Sequence, residues 1–210
     1  MSSTAAALLE ANAHLWERIR AHPFVHQAAA GTLSREAFDR WLVEDHHFVV
    51  AGRRFVGRMM ELAPDEPARD LLADAVAALG TELELFRREA RTRNLDLDVE
   101  PCPTNLGYAA FLLASAADGF SATVTVLYGA EKAYFDAWRV VRERASQDSP
   151  YWAFIDNWSS PAFGDWVDQV AGLLDRVVPD GPDARLQRIF TRVARFELRF
   201  WDAVHAGETW

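Results

Sequence analysis

Three stretches of the chain repeat apolar residues at helical spacing, and each has one acidic residue at the centre of its apolar face. In Val124–Trp138 that acid is Glu131, with apolar side chains three, four and seven residues away on both sides. Asp45 and Glu197 occupy the same place in their own stretches. Because a lone carboxylate on an apolar face is costly, we expect three long helices to bring these acids together in one cavity.

A simpler interpretation exists for any one of these acids. A salt bridge to a neighbouring arginine, or a position at a wet end of a helical bundle, would explain a single inward carboxylate. Three such acids on separate helices favour a site, because bundles build sites from inward polar groups on facing helices. A fourth acid, Glu82, lies near the apolar face of its helix, and its orientation is left open.

The remaining sequence also indicates helices, separated by turns at proline and glycine. We find no alternating strand pattern and no internal repeat, so we predict an all-α fold, a single-domain helical bundle over residues 1–210. The predicted long helices span about 4–20, 34–62, 67–93, 104–118, 121–145, 160–177 and 183–206. A short helical piece precedes Gly31, and a short segment without an assigned structure covers 151–158.

Charge and composition exclude several classes of function. The formal net charge of −9 argues against a nucleic-acid partner, which needs a basic surface. The single cysteine, Cys102, excludes an intrachain disulfide framework and any multi-cysteine metal site. No stretch is typical of a signal peptide or a membrane span. The sequence therefore predicts a soluble cytoplasmic protein with no membrane partner.

Two pairs of residues have the spacing of metal ligands on a helix, Glu44 with His47 and Asp202 with His205. Di-iron bundles use such Glu-x-x-His pairs together with further carboxylates. Here Glu44 and Asp202 lie off the apolar faces, so we predict no metal or other cofactor and keep a carboxylate-bridged di-iron oxygenase as an alternative. Of the neighbouring histidines, we expect one of His46 and His47 to be on the surface and the other to be a packing residue with its hydrogen bonds satisfied.

Cysteine chemistry is not expected. Cys102 lies between two prolines in a predicted loop, with no helix N-terminus or basic neighbour to lower its pKa.

Aromatic residues are more informative about a ligand. Phe48 and Phe200 each follow an inward acid by three residues, so each ring lies beside that acid on the same helix face. Tyr108 and Trp158 are further candidates, although all these rings could be plain core. Rings alternating with carboxylates suit a flat, nitrogen-rich ligand.

Four blocks of sequence carry a family resemblance: HPFVHQAAAGTLSREAFDRWLVEDHHFV, PTNLGYAAFLL, VLYGAEKAYFDAW and FELRFWDAVH. Together they cover nearly the whole chain and resemble the TenA-like family of thiamin-salvage proteins, related to thiaminase II, with a heme-oxygenase-like helical fold. The resemblance implies a pocket for an aminopyrimidine and a homodimer or homotetramer. The pyrimidine-binding residues that we predict are Asp45, Phe48, Tyr108, Tyr134, Trp158 and Phe200.

One departure from the family pattern affects the expected chemistry. The better-known branch has a nucleophilic cysteine in its central helix, whereas this chain reads LYGAEKAYFDAW there. It resembles the branch that has a glutamate in that helix, here Glu131. This implies a hydrolase of thiamin-breakdown pyrimidines with aminomethyl or formylaminomethyl groups, in which Glu131 and Glu197 do the acid–base chemistry. A non-catalytic pyrimidine-binding or regulatory protein is the remaining alternative.

Overall fold

The computed structural model describes residues 3–210. Helices make up 80% of the chain, and these residues contain no β-strand, which confirms the predicted all-α class. The helices are α1 (Thr4–Ala11), α2 (Ala13–Arg20), α3 (Pro23–Ala30), α4 (Arg35–Leu62), α5 (Glu66–Arg93), α6 (Pro103–Ala114), α7 (Phe120–Arg142), α8 (Trp152–Ser159), α9 (Pro161–Val177) and α10 (Ala184–Ala206). A 3₁₀ turn, Ser115–Asp118, follows α6.

Local capping residues account for most of the helix ends. The Ser34 hydroxyl accepts the N–H of Ala37, which begins α4, and the Ser160 hydroxyl accepts the N–H of Phe163, which begins α9. Gly31 ends α3 in the left-handed conformation with φ of 69°, which glycine adopts without strain. The other predicted ends lie within a few residues of those observed; for example, α7 ends at Arg142 and not near 145.

The prediction of one helix over residues 4–20 is wrong, because Asn12 interrupts it. Asn12 is buried, and its Nδ2 donates to the carbonyl of Leu8 at 2.8 Å. Its Oδ1 accepts the hydroxyl of Thr191, on α10, at 2.7 Å. An asparagine side chain that bonds the backbone in this way competes with helical hydrogen bonds, so the segment divides into α1 and α2.

The chain packs as two compact units. The first unit consists of residues 3–33 and 124–202, and the second of residues 34–123 and 203–210. The predicted single domain over 1–210 therefore stays a prediction. No helix within residues 3–210 combines the length and the apolar character needed to cross a lipid bilayer.

In the first unit, the interior is rich in stacked aromatic rings. Trp16 stacks on Phe190 with ring centroids 5.2 Å apart, and its indole N–H donates to Asp136 at 3.0 Å. The helices α7 and α10 approach each other closely at Gly129. A β-carbon there would lie 2.8 Å from Cγ1 of Val193, a distance that real β-carbons essentially never show. This contact holds the helices that carry Glu131 and Glu197 side by side.

In the second unit, α4 packs against both α5 and α6. Trp41 of α4 contacts Phe38 and Phe86 in the interior, with centroids 5.0 and 6.0 Å away. The C-terminal residues of α10 join this unit because the guanidinium group of Arg40, on α4, donates to the carbonyls of Val204 and His205 at 3.0 Å. These carbonyls are in the last turn of the helix, where they lack intrahelical partners.

Candidate functional site

Five of the predicted site residues lie in the first unit. Glu131 and Tyr134 are on α7, Trp158 is on α8, and Glu197 and Phe200 are on α10. Glu197 is only 1% exposed, as its central place in an apolar face predicts. Glu131 is half-buried, so this residue is less enclosed than Glu197.

A cluster of aromatic rings positions these residues. Tyr134 stacks on Trp201 with centroids 5.4 Å apart and meets the edge of Trp158 at 5.6 Å. Phe200 meets Trp201 edge-on at 5.9 Å. Trp138 completes the group through contacts of 5.6 Å with Trp158 and 6.4 Å with Trp201. The structure thus brings Tyr134, Trp158 and Phe200 together around two tryptophans.

Sequence reasoning did not assign Trp138 or Trp201 to the site. A signal was present, because Trp201 follows Glu197 by four residues and Trp138 follows Glu131 by seven, on the same apolar faces. Both are fully buried. Both contact predicted binding residues, a position that a helical pattern alone does not distinguish from ordinary core packing.

The other three predicted residues lie in the second unit. Asp45 is on α4 and 1% exposed, and Tyr108 is on α6 and also 1% exposed. The half-buried Phe48 contacts Tyr108 with ring centroids 4.7 Å apart. Two of the predicted pyrimidine-binding rings therefore touch within this unit. That Asp45, Glu131 and Glu197 line one cavity stays a prediction.

The N-terminus of α6 is capped by carboxylates from elsewhere in the second unit. Cys102 is the N-cap residue, and its side chain caps no backbone N–H. Instead, Oε1 of Glu44 accepts the N–H of Cys102 at 3.0 Å, and Oε2 of Glu208 accepts the N–H of Thr104 at 2.9 Å. Carboxylates suit this position because the end of the helix carries free N–H groups and a partial positive charge.

Asn105 extends this arrangement. Its Nδ2 donates to both the carbonyl and Oε2 of Glu44, each at 2.7 Å, and the residue is 1% exposed. Three hydrogen bonds therefore join Glu44 of α4 to the first turn of α6. They could not be predicted from the sequence, because Glu44 lies off the apolar face of its helix and is separated from Asn105 by 61 residues.

The position of Cys102 differs from the predicted loop, since α6 begins at Pro103 and makes Cys102 its N-cap. A helix N-terminus normally lowers the pKa of a thiol. Here burial first, and then the neighbouring carboxylates of Glu44 and Glu208, raise the pKa of the Cys102 thiol to about 12. The thiol is protonated at neutral pH, which supports the prediction that it is not a nucleophile.

The two histidines after Asp45 were expected to be one surface residue and one packing residue with its hydrogen bonds satisfied, and the structure agrees only in part. His46 is buried, meets the edge of Phe86 at 6.3 Å, and has its pKa lowered by burial first and then by His47 and Arg87. It is a packing residue, but its Nδ1 has no hydrogen-bond partner within residues 3–210. His47 is half-buried, so neither histidine is a surface residue.

The residues of the two metal-like pairs are engaged in other contacts. Glu44 holds the start of α6, as described above, and Asp202 lies 3.1 Å from Nε2 of His22. In the part of the chain that the structure describes, no three His, Cys, Asp or Glu residues are grouped so that they could hold a metal ion. The carboxylates of Glu44 and Asp202 thus have structural roles.

A cavity of about 450 Å³ opens on the second unit. Glu44, Cys102 and Glu208 line it, together with apolar residues that include Val99 and Trp210. Asp45, Phe48 and Tyr108 are not among its lining residues, so this cavity is separate from the predicted binding residues of the unit. The carboxylates that hold α6 therefore border this cavity.

Comparisons with known proteins agree with this arrangement of helices. A curated relative, the aminopyrimidine aminohydrolase of Halalkalibacterium halodurans, is 24% identical over 219 residues, covering 99% of this chain and 98% of its own. The crystal structure of a TenA homologue from Pyrococcus furiosus is 34% identical and has a TM-score of 0.90, covering 94% of this chain and 98% of its own.

A more distant structure establishes the fold class. A domain of unknown function from Shewanella denitrificans, described as having a heme oxygenase-like fold, has a TM-score of 0.72 at 15% identity and covers 96% of this chain and 91% of its own. The predicted heme-oxygenase-like fold is therefore confirmed. The model of the TENA/THI-4/PQQC family matches residues 10–206. The chain accordingly belongs to the TENA/THI-4/PQQC family.

Proposed function

We propose that this protein hydrolyses aminopyrimidines that arise from the breakdown of thiamin. An aminomethyl pyrimidine would yield the hydroxymethyl compound, and a formylaminomethyl pyrimidine would yield the aminomethyl compound. The observation that carries the proposal is the deep burial of Asp45 and Glu197, each on a helix face that also bears aromatic rings. The name of the Halalkalibacterium halodurans relative, an aminopyrimidine aminohydrolase, supports the same reaction class.

The buried acids suit the recognition of a pyrimidine. A carboxylate accepts hydrogen bonds from amino groups and from a protonated ring nitrogen, and these charge-assisted bonds are strong where water is excluded. Aromatic rings provide flat surfaces for an aromatic ligand. In the second unit, Asp45 and the Phe48–Tyr108 pair provide both features. In the first unit, Tyr134, Trp158 and Phe200 provide the aromatic surface.

The chemistry requires groups that move protons. In hydrolysis of the aminomethyl compound, the exocyclic C–N bond breaks, a C–O bond forms from water, and the proton lost by water leaves with ammonia. Glu131 would act as general base on the water or as proton donor to the leaving nitrogen, and Glu197 would be the complementary group. Each positioned acid or base of this kind contributes about 10²–10⁴-fold in rate.

Two observations favour glutamate over cysteine chemistry. The central helix α7 contains Glu131 and no cysteine. The single cysteine of the chain, Cys102, is in the second unit, and its thiol has a pKa of about 12. We therefore propose that the protein belongs to the branch of the family that uses a glutamate.

The substitution Glu131→Gln tests the proposal, because glutamine keeps the shape and a hydrogen bond but cannot exchange the proton. We expect turnover of the aminomethyl pyrimidine to fall by about 10²–10⁴-fold, with affinity for the hydroxymethyl product retained. Glu143→Gln, at an exposed residue just after α7, is the matched control and should keep wild-type turnover.

Turnover near the wild-type rate in Glu131→Gln would remove this residue from the mechanism. A wild-type protein that binds the hydroxymethyl pyrimidine but turns over neither substrate would instead be a binding protein. We expect turnover to survive treatment with a chelator. Loss of activity on chelation, with recovery on adding iron, would favour the di-iron alternative.

A further inference from the structure

The hydrogen bonds between Glu44 and α6 lie one helical turn from two predicted binding rings. Glu44 and Phe48 are four residues apart on α4, and Asn105 and Tyr108 are three residues apart on α6. The Glu44–Asn105 hydrogen bond and the Phe48–Tyr108 ring contact are therefore neighbours on the same helix–helix interface. The two helices run in the same direction there.

We propose that Glu44 is a positioning residue that fixes the place of Tyr108, one of the predicted pyrimidine-binding residues of the second unit. This inference rests on the proposed function. Its carboxylate holds α6 at two points, the N–H of Cys102 and the side chain of Asn105. Because helix α6 is stiff over this single turn, the same hydrogen bonds set where the Tyr108 ring lies against Phe48.

The arrangement explains why α6 begins where it does without a capping side chain of its own. Cys102 supplies no side-chain cap, and Pro103 has no N–H. Of the N–H groups that remain at this end, those of Cys102 and Thr104 donate to the carboxylates of Glu44 and Glu208. The helix start is thus defined by distant carboxylates, and loss of Glu44 would free it to shift.

A spectroscopic measurement tests this positioning independently of activity. The protein has four tyrosines, so incorporation of 3-fluorotyrosine gives four ¹⁹F resonances, and Tyr108→Phe assigns the one of interest. We expect Glu44→Ala to shift the Tyr108 resonance, to leave those of the three tyrosines in the first unit unchanged, and to speed amide exchange at Cys102 and Thr104.

Binding measurements test the functional part. In Glu44→Ala we expect the Kd for the hydroxymethyl pyrimidine and the KM of the aminomethyl compound to rise together by about 10–10²-fold, the cost of a misplaced binding group. This pattern differs from that of Glu131→Gln, which should lower kcat and leave the Kd unchanged. Glu44→Gln keeps one oxygen for the Cys102 N–H, so it should change both constants in the same direction but less.

The control is Glu100→Ala. Glu100 lines the same cavity and is exposed, and no hydrogen bond to its carboxylate occurs within residues 3–210. The Glu100→Ala substitution removes the same charge as Glu44→Ala and should leave the Tyr108 resonance and the Kd unchanged. An unmoved Tyr108 resonance or an unchanged Kd in folded Glu44→Ala would overturn the inference, as would equal shifts of all four resonances.

If Glu44→Ala does not fold, the Tyr108 resonance and the Kd measured in Glu44→Gln test the inference instead. If the wild-type protein neither binds nor turns over a pyrimidine, the proposed function fails. The Tyr108 resonance and the amide exchange then still decide whether Glu44 positions the ring.

Discussion

The candidate residues of the two units are held in place by different interactions. In the first unit, Tyr134, Trp158 and Phe200 are packed around Trp138 and Trp201 through ring contacts. In the second unit, the helix that carries Tyr108 is tied to α4 by hydrogen bonds to carboxylates. The two units of one small protein thus depend on different physical forces.

This difference predicts which changes each unit tolerates. Ring packing depends on volume and shape, so the first unit should be sensitive to the size of a side chain and insensitive to charge. Charge-assisted hydrogen bonds depend on donors and acceptors, so the second unit should be sensitive to changes that preserve volume and alter charge. Substitutions that change side-chain volume in the first unit, and substitutions that change charge in the second, test this difference.

The largest effect should come from Trp201→Ala. Trp201 is fully buried and contacts Phe24, Tyr134 and Trp138, so its removal leaves a large cavity. We expect the free energy of unfolding to fall by about 3–5 kcal/mol, measured by urea titration. Trp210→Ala, at a residue that is 71% exposed, is the control and should lose far less. Equal losses would mean that the aromatic cluster contributes no special stability.

In the second unit, Asn105→Asp is the most informative change because it alters charge and hardly alters volume. It removes the Nδ2 donor and places a second carboxylate against that of Glu44. We expect a loss of about 1–3 kcal/mol in the free energy of unfolding at neutral pH. The same change at the exposed Asn94 should have a smaller effect. An unaffected stability would show that the unit does not depend on this hydrogen bond.

Gly129→Ala adds a single methyl group where α7 meets α10 in the first unit. The added carbon would lie 2.8 Å from Val193 and 3.3 Å from the ring of Phe190, so the helices must separate. We expect a loss of about 1–3 kcal/mol. Gly172→Ala, within α9, has no atom within 4 Å of the new carbon and should instead gain about 0.5–1 kcal/mol. A gain in both variants would contradict the close approach.

His46 makes the stability of the second unit depend on pH. Burial lowers its pKa below the ordinary value of 6.5 in the folded protein. As the pH falls through 6.5, the unfolded chain takes up a proton that the folded chain resists, so stability decreases on acidification. His46→Phe should make the decrease between pH 7 and pH 5 shallower, measured by urea titration at several pH values. The exposed His26→Phe is the control, and identical slopes in wild type and His46→Phe would refute the assignment.

The smallest effect should come from Cys102→Ser. A protonated thiol takes no part in the proposed chemistry, so turnover should be unchanged. Serine is a favoured N-cap residue, which offsets the burial of its hydroxyl, and stability should stay within about 1 kcal/mol. Inactive but folded Cys102→Ser would show that a thiol reaction does occur.

Local sequence patterns were sufficient for most of the fold. Ser34 and Ser160 cap helices through hydrogen bonds to residues three positions away, so their role is readable from the neighbouring sequence. The burial of Asp45 and Glu197 follows from apolar neighbours within one or two helical turns. Each of these predictions depends only on contacts within a single element.

The features that were missed depend on contacts between distant residues. The break at Asn12 involves Thr191, which is 179 residues away, and the capping of α6 involves Glu44 and Glu208. A helical pattern identifies which face is buried but not which polar group it meets there. For this reason the burial of Asp45 and Glu197 was predictable, whereas the residues that hold α6 in place were not.

The close approach at Gly129 also has a consequence for natural variation within the family. A relative with alanine at this position can keep the same distance between α7 and α10 only if the residue opposite it, here Val193, is smaller. The two positions should therefore change together during evolution, with alanine or glycine at 193 accompanying alanine at 129. The double variant Gly129→Ala/Val193→Ala should accordingly be more stable than the two single substitutions predict by addition.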